Sequence, residues 1–402
     1  MLITHAARQL RASSRGAPSA ALRATLSARL ITSTAPVRAS LVDNPNLADL
    51  AGNDYLYHIG LNPSQQDLKT LFGDVRFVCL GGSVNRMAEF AETVADELGE
   101  HESISVPFGM RPSPIGKTDR YSMFKVGPVL ISSHGMGQPS MSILLHEIAK
   151  LLHYAGADDP AFIRLGTSGG LGVKPGTVVV TTEGFNGMLG NTYDLPVNGK
   201  MVSRPSQMDA DLVKDVLRAV ETRPETSDLK HFKDVVAGGT MAADCFYEGQ
   251  GRLDGAICDY EESDKLEFLQ RAHDAGVRNI EMESLQFGAF AHRLGIRATA
   301  CCVTLLNRLE GDQVSNFRLL RSFRSIRIYS FIIPPRFKVS WHYTDSLSLS
   351  LSRCFLLFVF PTVRYAPLSK SCRRWTRGPG EWLWRTSSRS SGSSLLPSPS
   401  TR

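Results

Sequence analysis

The sequence predicts one α/β domain, three layers deep in the order α/β/α, with a mixed, twisted central sheet and helices on both faces. It spans about residues 43–316 of the 402. Two observations carry this expectation. Apolar runs of strand length at residues 75–80 and 161–165 each break into a glycine turn, GG at 81–82 and GTSGG at 166–170. Helix-length segments lie between such runs. One of them, residues 139–155, opens on Pro139 and has Gly156 just past its end.

The formal net charge of +6 hides three zones. Residues 1–40 hold six Arg, no Lys and no acid, while residues 317–402 hold fifteen Lys and Arg against Asp345 and Glu381. What lies between carries −13, so the middle does not draw nucleic acid by bulk charge, and any anion it holds is gripped by local cations. The Arg-, Ala- and Ser-rich residues 1–42 have the composition of a mitochondrial transit peptide. A disordered basic arm, or a start codon assigned upstream of the true one, is the alternative. The seven Cys are scattered without a CxxC, which fits reduced thiols in an intracellular protein. The His spacing offers no zinc pattern, so no metal is expected. The apolar run at 354–360 is far shorter than the roughly 20 residues a bilayer span needs.

The elements then follow in order. His58 lies among aromatic residues in NDYLYHIGL, residues 53–61, ahead of the first core strand. Residues 75–98 read as strand, glycine turn and helix. Gly82 allows backbone N–H groups to approach an anion, and Arg86 lies in the first helical turn, where the dipole also favours negative charge. A plain strand–turn–helix joint is the alternative. Residues 121–126 and 128–133 look like two strands joined at Gly127-Pro128, with Arg120 at the head of the first. Within AFIRLGTSGG, residues 161–170, Arg164 interrupts a buried run, and a charge there is costly unless paired. Either it joins a buried salt bridge, or it holds an anion together with the Thr167 hydroxyl and the glycine N–H groups. Residues 184–234 are polar and yield only an amphipathic helix near 209–221. A second such helix falls at 263–275. Glu283 follows Met282 at the start of a further helix, where a carboxylate stabilises the dipole.

FYEGQGRLDG, residues 246–255, carries the most chemistry. Gln250 and Arg252 stand two apart, with Gly249 and Gly251 interleaved. Glycines that close argue against a helix, and in an extended segment residues i and i+2 share a side. One face then offers a carboxamide, donor and acceptor, beside a guanidinium, which only donates. The uracil edge presents acceptor, donor, acceptor, and Phe246 is placed to stack on the ring. A glycine-rich turn with a surface arginine is the alternative.

FYEGQGRLDG, TDRY at 118–121, RLGTSGGLG at 164–172, NIEMES at 279–284 and HGMGQPSMSILLHEI at 134–148 occur together in one chain. This set closely resembles the eukaryotic uridine phosphorylases of the nucleoside phosphorylase family, over about residues 44–315. The resemblance implies the phosphorylase fold and a phosphate site of Gly82, Arg86, Arg164 and Thr167, completed by Arg120 from across a dimer interface. It implies uracil recognition by Phe246, Gln250 and Arg252, with Arg308 flanking the base pocket. The ribose would be held by Met282 and Glu283, and by His58 of a neighbouring subunit. Arg86, Arg164, Arg252 and Glu283 would carry catalysis. Purine phosphorylases of the superfamily have an Asp on the segment matching VTLLNR, residues 303–308, to protonate the leaving purine; no Asp stands there. The implied reaction is reversible conversion of uridine and phosphate to uracil and ribose 1-phosphate in pyrimidine catabolism and salvage. It would run in a cytosolic homodimer without metal, organic cofactor, nucleic acid or membrane, a mitochondrial location being the alternative.

The resemblance stops near residue 315. Residues 317–402 are basic, rich in Ser and include SLSLSLS at 346–352, as a translated intron or a shifted frame would be; a genuine basic extension is the alternative, and disorder is expected there. Because this stretch replaces the final segment of related chains, a catalytically impaired, nucleoside-binding subunit is the alternative function. A nucleoside hydrolase and a purine phosphorylase are the rival enzymes. The first would not need the arginines, and the second would not use the Gln-Gly-Arg motif.

Overall fold

A computed structural model describes residues 41–50, 53–99, 111–221 and 234–313. The expectations placed on residues 1–40 and 317–402 lie outside that range. Among the described residues ten strands run in chain order: β1 (Phe77–Gly81), β2 (Met123–Val126), β3 (Val129–Ser133), β4 (Ala161–Gly170), β5 (Val178–Phe185), β6 (Thr192–Val197), β7 (Lys200–Pro205), β8 (Val235–Ala242), β9 (Val277–Glu281) and β10 (Ala298–Asn307). The longer helices are α1 (Val84–Gly99), α2 (Gln138–Ala155), α3 (Ala210–Glu221), α4 (Glu262–Asp274) and α5 (Ser284–Leu294).

Eight strands form one mixed sheet in the order β10-β5-β8-β9-β4-β1-β3-β2, and β6-β7 form a separate hairpin. The interior strand β1 is buried along its whole length and pairs in parallel with both β3 and β4. A strand covered on both faces reads as a continuous apolar run, which is what FVCLG shows. In α1 the buried Met87, Phe90, Ala91, Val94, Ala95 and Leu98 recur every three or four residues and lay one stripe on the sheet. Gly156, left-handed at φ +68°, closes α2 by donating to the carbonyls of His153 and Leu152. The larger apolar cluster unites β1–β4 with α1, α2 and the buried faces of α3 and α5. A smaller one lies where α4 meets β9, around Leu269, Val277 and Ile280. Phe162 on β4 is wholly buried. Phe162→Ala is therefore expected to lower stability by about 3–5 kcal/mol, read from urea unfolding.

Two expectations change. β4 is twice the anticipated length because its glycine half, Gly166–Gly170, goes on pairing with β10, through a register shift between Thr304 and Asn307. The stretch around residues 184–234 contains the β6–β7 hairpin, whose turn is Asn198 (φ +50°) and Gly199 (φ +74°). Asn-Gly between alternating residues is a strong short-range hairpin signal, so this element was readable.

Candidate active site

The site lies where β1, β3, β8 and β9 end beside the glycine half of β4. β1 runs into Gly82, and β3 runs into His134. Gly135 (φ +71°) and Gly137 (φ +83°) hold backbone that side chains resist, and they turn the chain into α2. A Cβ on Gly82 would stand 3.1 Å from the Gly135 carbonyl oxygen and 3.6 Å from both Arg86 Nη2 and His134 Cε1. The glycine is what lets these groups converge. Burial, then the nearby Arg164 charge, lower the Arg86 pKa. Arg86 makes no hydrogen bond or ion pair among the described residues. Like charges pressed together with a free guanidinium form an arrangement that an anion relieves.

Arg164 is 3% exposed and already paired. Its Nη2 bonds Glu281 Oε2 at 2.8 Å and also Glu283 Oε2, while Nη1 donates to Cys302 Sγ at 2.9 Å. Of the two alternatives open in the sequence, the structure shows the buried salt bridge, and of the guanidinium nitrogens only Nε is left without a partner among the described residues. Glu283 Oε1 accepts the Gly137 N–H at 2.6 Å. Burial pushes the Glu283 carboxyl up, but Arg164, His134 and the Gly137 N–H together hold it below the ordinary glutamate value. Glu281 accepts the N–H groups of Glu283 and Ser284, at 3.0 and 2.9 Å, and so caps α5; burial pushes its carboxyl up to about 7. Met282 is half-buried between the two glutamates, and Thr167 is half-buried on β4 opposite Val303.

The base end corrects one expectation. Residues 246–252 are not extended. Glu248–Gln250 is a 3-10 turn, Gly251 is left-handed at φ +63°, and Gln250 and Arg252 N–H both donate to the Tyr247 carbonyl. Local i to i+3 hydrogen bonds, permitted by Gly251, outcompete the strand. Gln250 and Arg252 therefore do not share a strand face. Gln250 is buried; its Oε1 accepts Arg308 Nη1 at 3.3 Å, and its backbone carbonyl accepts Arg308 Nη2. Arg252 lies 4.8 Å over the Phe246 ring and grips Asp254 through Nε (2.9 Å) and Nη2 (2.6 Å). That leaves its Nη1 without a partner among the described residues. Phe246 is 45% exposed.

The two ends are joined. The Arg308 stem packs on Gly169, with Cδ 2.9 Å from where a Cβ would stand. Gly169 is five residues beyond Arg164 on β4, roughly 16 Å along the strand. A nucleoside and a phosphate fit end to end on that scale. His58 and Arg120 are placed elsewhere. The His58 ring is held by Glu147 at 2.6 Å and its carbonyl accepts the Thr118 hydroxyl at 2.5 Å, next to Arg120. Glu147 is ten residues along α2 from Gly137, about 15 Å from the Glu283 contact. Both residues sit near the β2 edge of the sheet, and Arg120 is exposed.

Comparison with known proteins shows the family. The family model described as the phosphorylase superfamily matches residues 76–321. Mouse uridine phosphorylase 1 is 47% identical over 274 residues, which is 68% of this chain and 84% of the mouse protein. The chain belongs to the uridine phosphorylases of the phosphorylase superfamily. A solved uridine phosphorylase from the oomycete Phytophthora capsici is 47% identical, with TM-score 0.64 over 72% of this chain and 93% of that one. The Schistosoma mansoni uridine phosphorylase, solved in complex with thymidine, is 41% identical, with TM-score 0.63 over 69% and 91%.

Sequence reasoning missed two features of this uridine phosphorylase site. One is the tether of the base loop: Lys265 Nζ and Arg308 Nε meet Asp312 at 2.7 and 3.1 Å, and Gln313 donates to Asp254 at 3.1 Å. No spacing in the sequence announces contacts that long. The other is His134, 1% exposed at the anion turn. The HGMG signature did mark that residue, but only as family resemblance. Burial, then Arg164 and Arg86, push its pKa down to about 3. A depressed histidine stabilises the fold above its unfolded pKa and loses that contribution as pH falls. His134 should therefore destabilise the fold progressively as pH falls below about 6.5 towards about 3. The checking measurement is the difference in denaturant stability between wild type and His134→Phe across that window, which should shrink with acid. A cavity of about 700 Å³ lies between the β6–β7 hairpin and α4, lined by Glu248, Gly249 and Gly251 of the base loop with Tyr193, Asp244, Tyr260 and Lys265. Among the described residues no group of three or more His, Cys, Asp or Glu is placed to hold a metal, and no helix is long and apolar enough to cross a membrane.

Proposed function

We propose that this chain catalyses reversible phosphorolysis of uridine to uracil and ribose 1-phosphate. The observation that carries the reading is the free Arg86 guanidinium at Gly82 on one side of the ionised Glu283, with the Phe246–Gln250–Arg252 loop on the other. A phosphate oxygen attacks C1′ as the bond to N1 of the base breaks, so no enzyme nucleophile is needed. Glu283 accepts the 2′- and 3′-hydroxyls and Met282 packs on the sugar, which fixes C1′ in line. Such positioning contributes up to roughly 7–11 kcal/mol. Uracil leaves as an anion, and Gln250 Nε2 and Arg252 Nη1 donate to its carbonyl oxygens as charge develops. Phosphate is a co-substrate, and the chemistry calls for no metal or organic cofactor. Its place is pyrimidine nucleoside catabolism and salvage in the cytosol; the Arg-rich residues 1–42 favour the mitochondrion as the second reading.

Charge supports a homodimer with shared sites. Within one chain Arg164 is offset by Glu283 and Glu281, which leaves Arg86 as the cation facing a phosphate dianion. Arg120 of a second copy would supply the missing charge, and His58 of that copy would reach the ribose. Mixing inactive Arg86→Ala and Arg120→Ala chains, then allowing subunits to exchange, should restore about a quarter of wild-type turnover, because half of the dimers are mixed and each keeps one intact site. A mixture that stays inactive would count against sharing. The reaction itself is tested by the rate of uracil release against phosphate concentration. Saturation from a zero intercept is expected, whereas release without phosphate would indicate a hydrolase. A protein ending near residue 316, assayed beside the full chain, shows what the replaced tail does to that rate.

A further inference from the structure

We propose that His134 is a further phosphate-binding residue, a neutral imidazole that donates a hydrogen bond to the anion held by Arg86 and the Gly82 turn. The inference rests on the phosphorolysis reading and names a group in that site.

His134 is 1% exposed, yet neither ring nitrogen has a hydrogen-bond partner. Buried ring nitrogens are ordinarily satisfied, and an orphaned donor is costly. The ring is not free to seek a partner elsewhere. The His134 N–H donates to the Gly81 carbonyl at 2.8 Å, and its carbonyl accepts the Ser140 hydroxyl at 2.5 Å. These bonds pin the residue between the end of β1 and the start of α2. With the backbone fixed and the side chain sealed from solvent, the ring lies where its Cε1 and Arg86 Nη2 reach the same point over Gly82, each 3.6 Å from where a Cβ would stand.

Its neighbours fix its state. Arg164 and Arg86 oppose a proton on the ring, while Glu283 and the Gly135 carbonyl favour one. The Gly135 carbonyl lies close without hydrogen-bonding geometry. Burial and the two cations prevail, so the ring is neutral across the physiological range and keeps one N–H donor and one acceptor. A neutral donor suits a crowded cationic site: it adds a directional hydrogen bond to an oxyanion without a third positive charge in the chain. A ring that only packs would need no orphaned nitrogens at this point. The unsatisfied donor and the unpaired Arg86 guanidinium have the same simplest partner, a small oxyanion above Gly82.

The test compares His134→Phe, which keeps a ring without a donor, with His134→Gln, which keeps an N–H, in the full chain. His134→Phe should raise the KM for phosphate about tenfold or more, the effect of one lost hydrogen bond to a charged group. Its KM for uridine should stay unchanged, and most of the phosphate-induced rise in Tm should vanish. His134→Gln should recover much of both. Phosphate KM within about twofold of wild type in His134→Phe, or an equal rise in both KM values, would overturn the proposal. If wild type binds phosphate by thermal shift but releases no uracil, the phosphorolysis reading fails, and the thermal shifts still decide His134. If neither variant folds, 15N spectra of wild-type histidines decide: the neutral ring that does not titrate between about pH 5 and 8 should move on adding phosphate, and its failure to move would reject the assignment.

Discussion

Replacing Arg164 with Ala is expected to destabilise the protein by about 3–5 kcal/mol, the usual cost of removing one partner from a buried ion pair. Glu281 and Glu283 would then face each other without their shared cation, and Cys302 Sγ would lose its donor. The backbone N–H groups of Glu283, Ser284 and Gly137 would still hold the carboxylates, so the fold should weaken rather than vanish. Turnover should fall with stability, because Glu283 is the proposed sugar anchor. Unfolding in urea measures the first effect, and uridine turnover well below the new midpoint measures the second. Arg164→Lys should recover only part of either, since an ammonium lacks the planar fork that reaches both carboxylates. A variant as stable as wild type would mean that the two glutamates carry no net charge in the folded protein.

Arg252→Ala is expected to lower kcat/KM for uridine by about 10²–10³, the scale of losing a donor to charge that develops in the transition state. Phosphate binding should be untouched, because Arg252 belongs to the base end and Arg86 to the other. The Phe246 ring loses its guanidinium cover and Asp254 loses a bidentate partner. Asp254 is exposed and bonded to Gln313, so little stability should go with it. The phosphate-induced thermal shift reads one end and uridine kinetics the other. Unchanged uridine turnover would remove Arg252 from base recognition.

The mixed sheet was legible because its strands are apolar runs that end in glycine turns, as FVCLG does before Gly82. The need for a partner at Arg164 was legible for a similar reason, since a charge inside a buried run demands compensation. What the sequence did not disclose was the identity of that compensation. Glu281 and Glu283 lie more than a hundred residues from Arg164 and reach it because β9 runs beside β4. The base loop misled because two glycines are compatible with either an extended segment or a turn, and only the Tyr247 carbonyl, accepting two N–H groups, decides for the turn. His134 was hidden for the opposite reason. A histidine among glycines carries no sign of being sealed from water, and its orphaned nitrogens emerge only when β1, β3 and α2 close around it.

The central claim is that one site holds phosphate and a uracil nucleoside at once and joins the first to the sugar of the second. Incubating the protein with uridine and 32P-labelled phosphate tests it directly. Label should enter a sugar phosphate in step with the uracil released, and added uracil should drive it back out. Uracil released with unlabelled ribose, or no release at saturating phosphate from a folded protein, would contradict it.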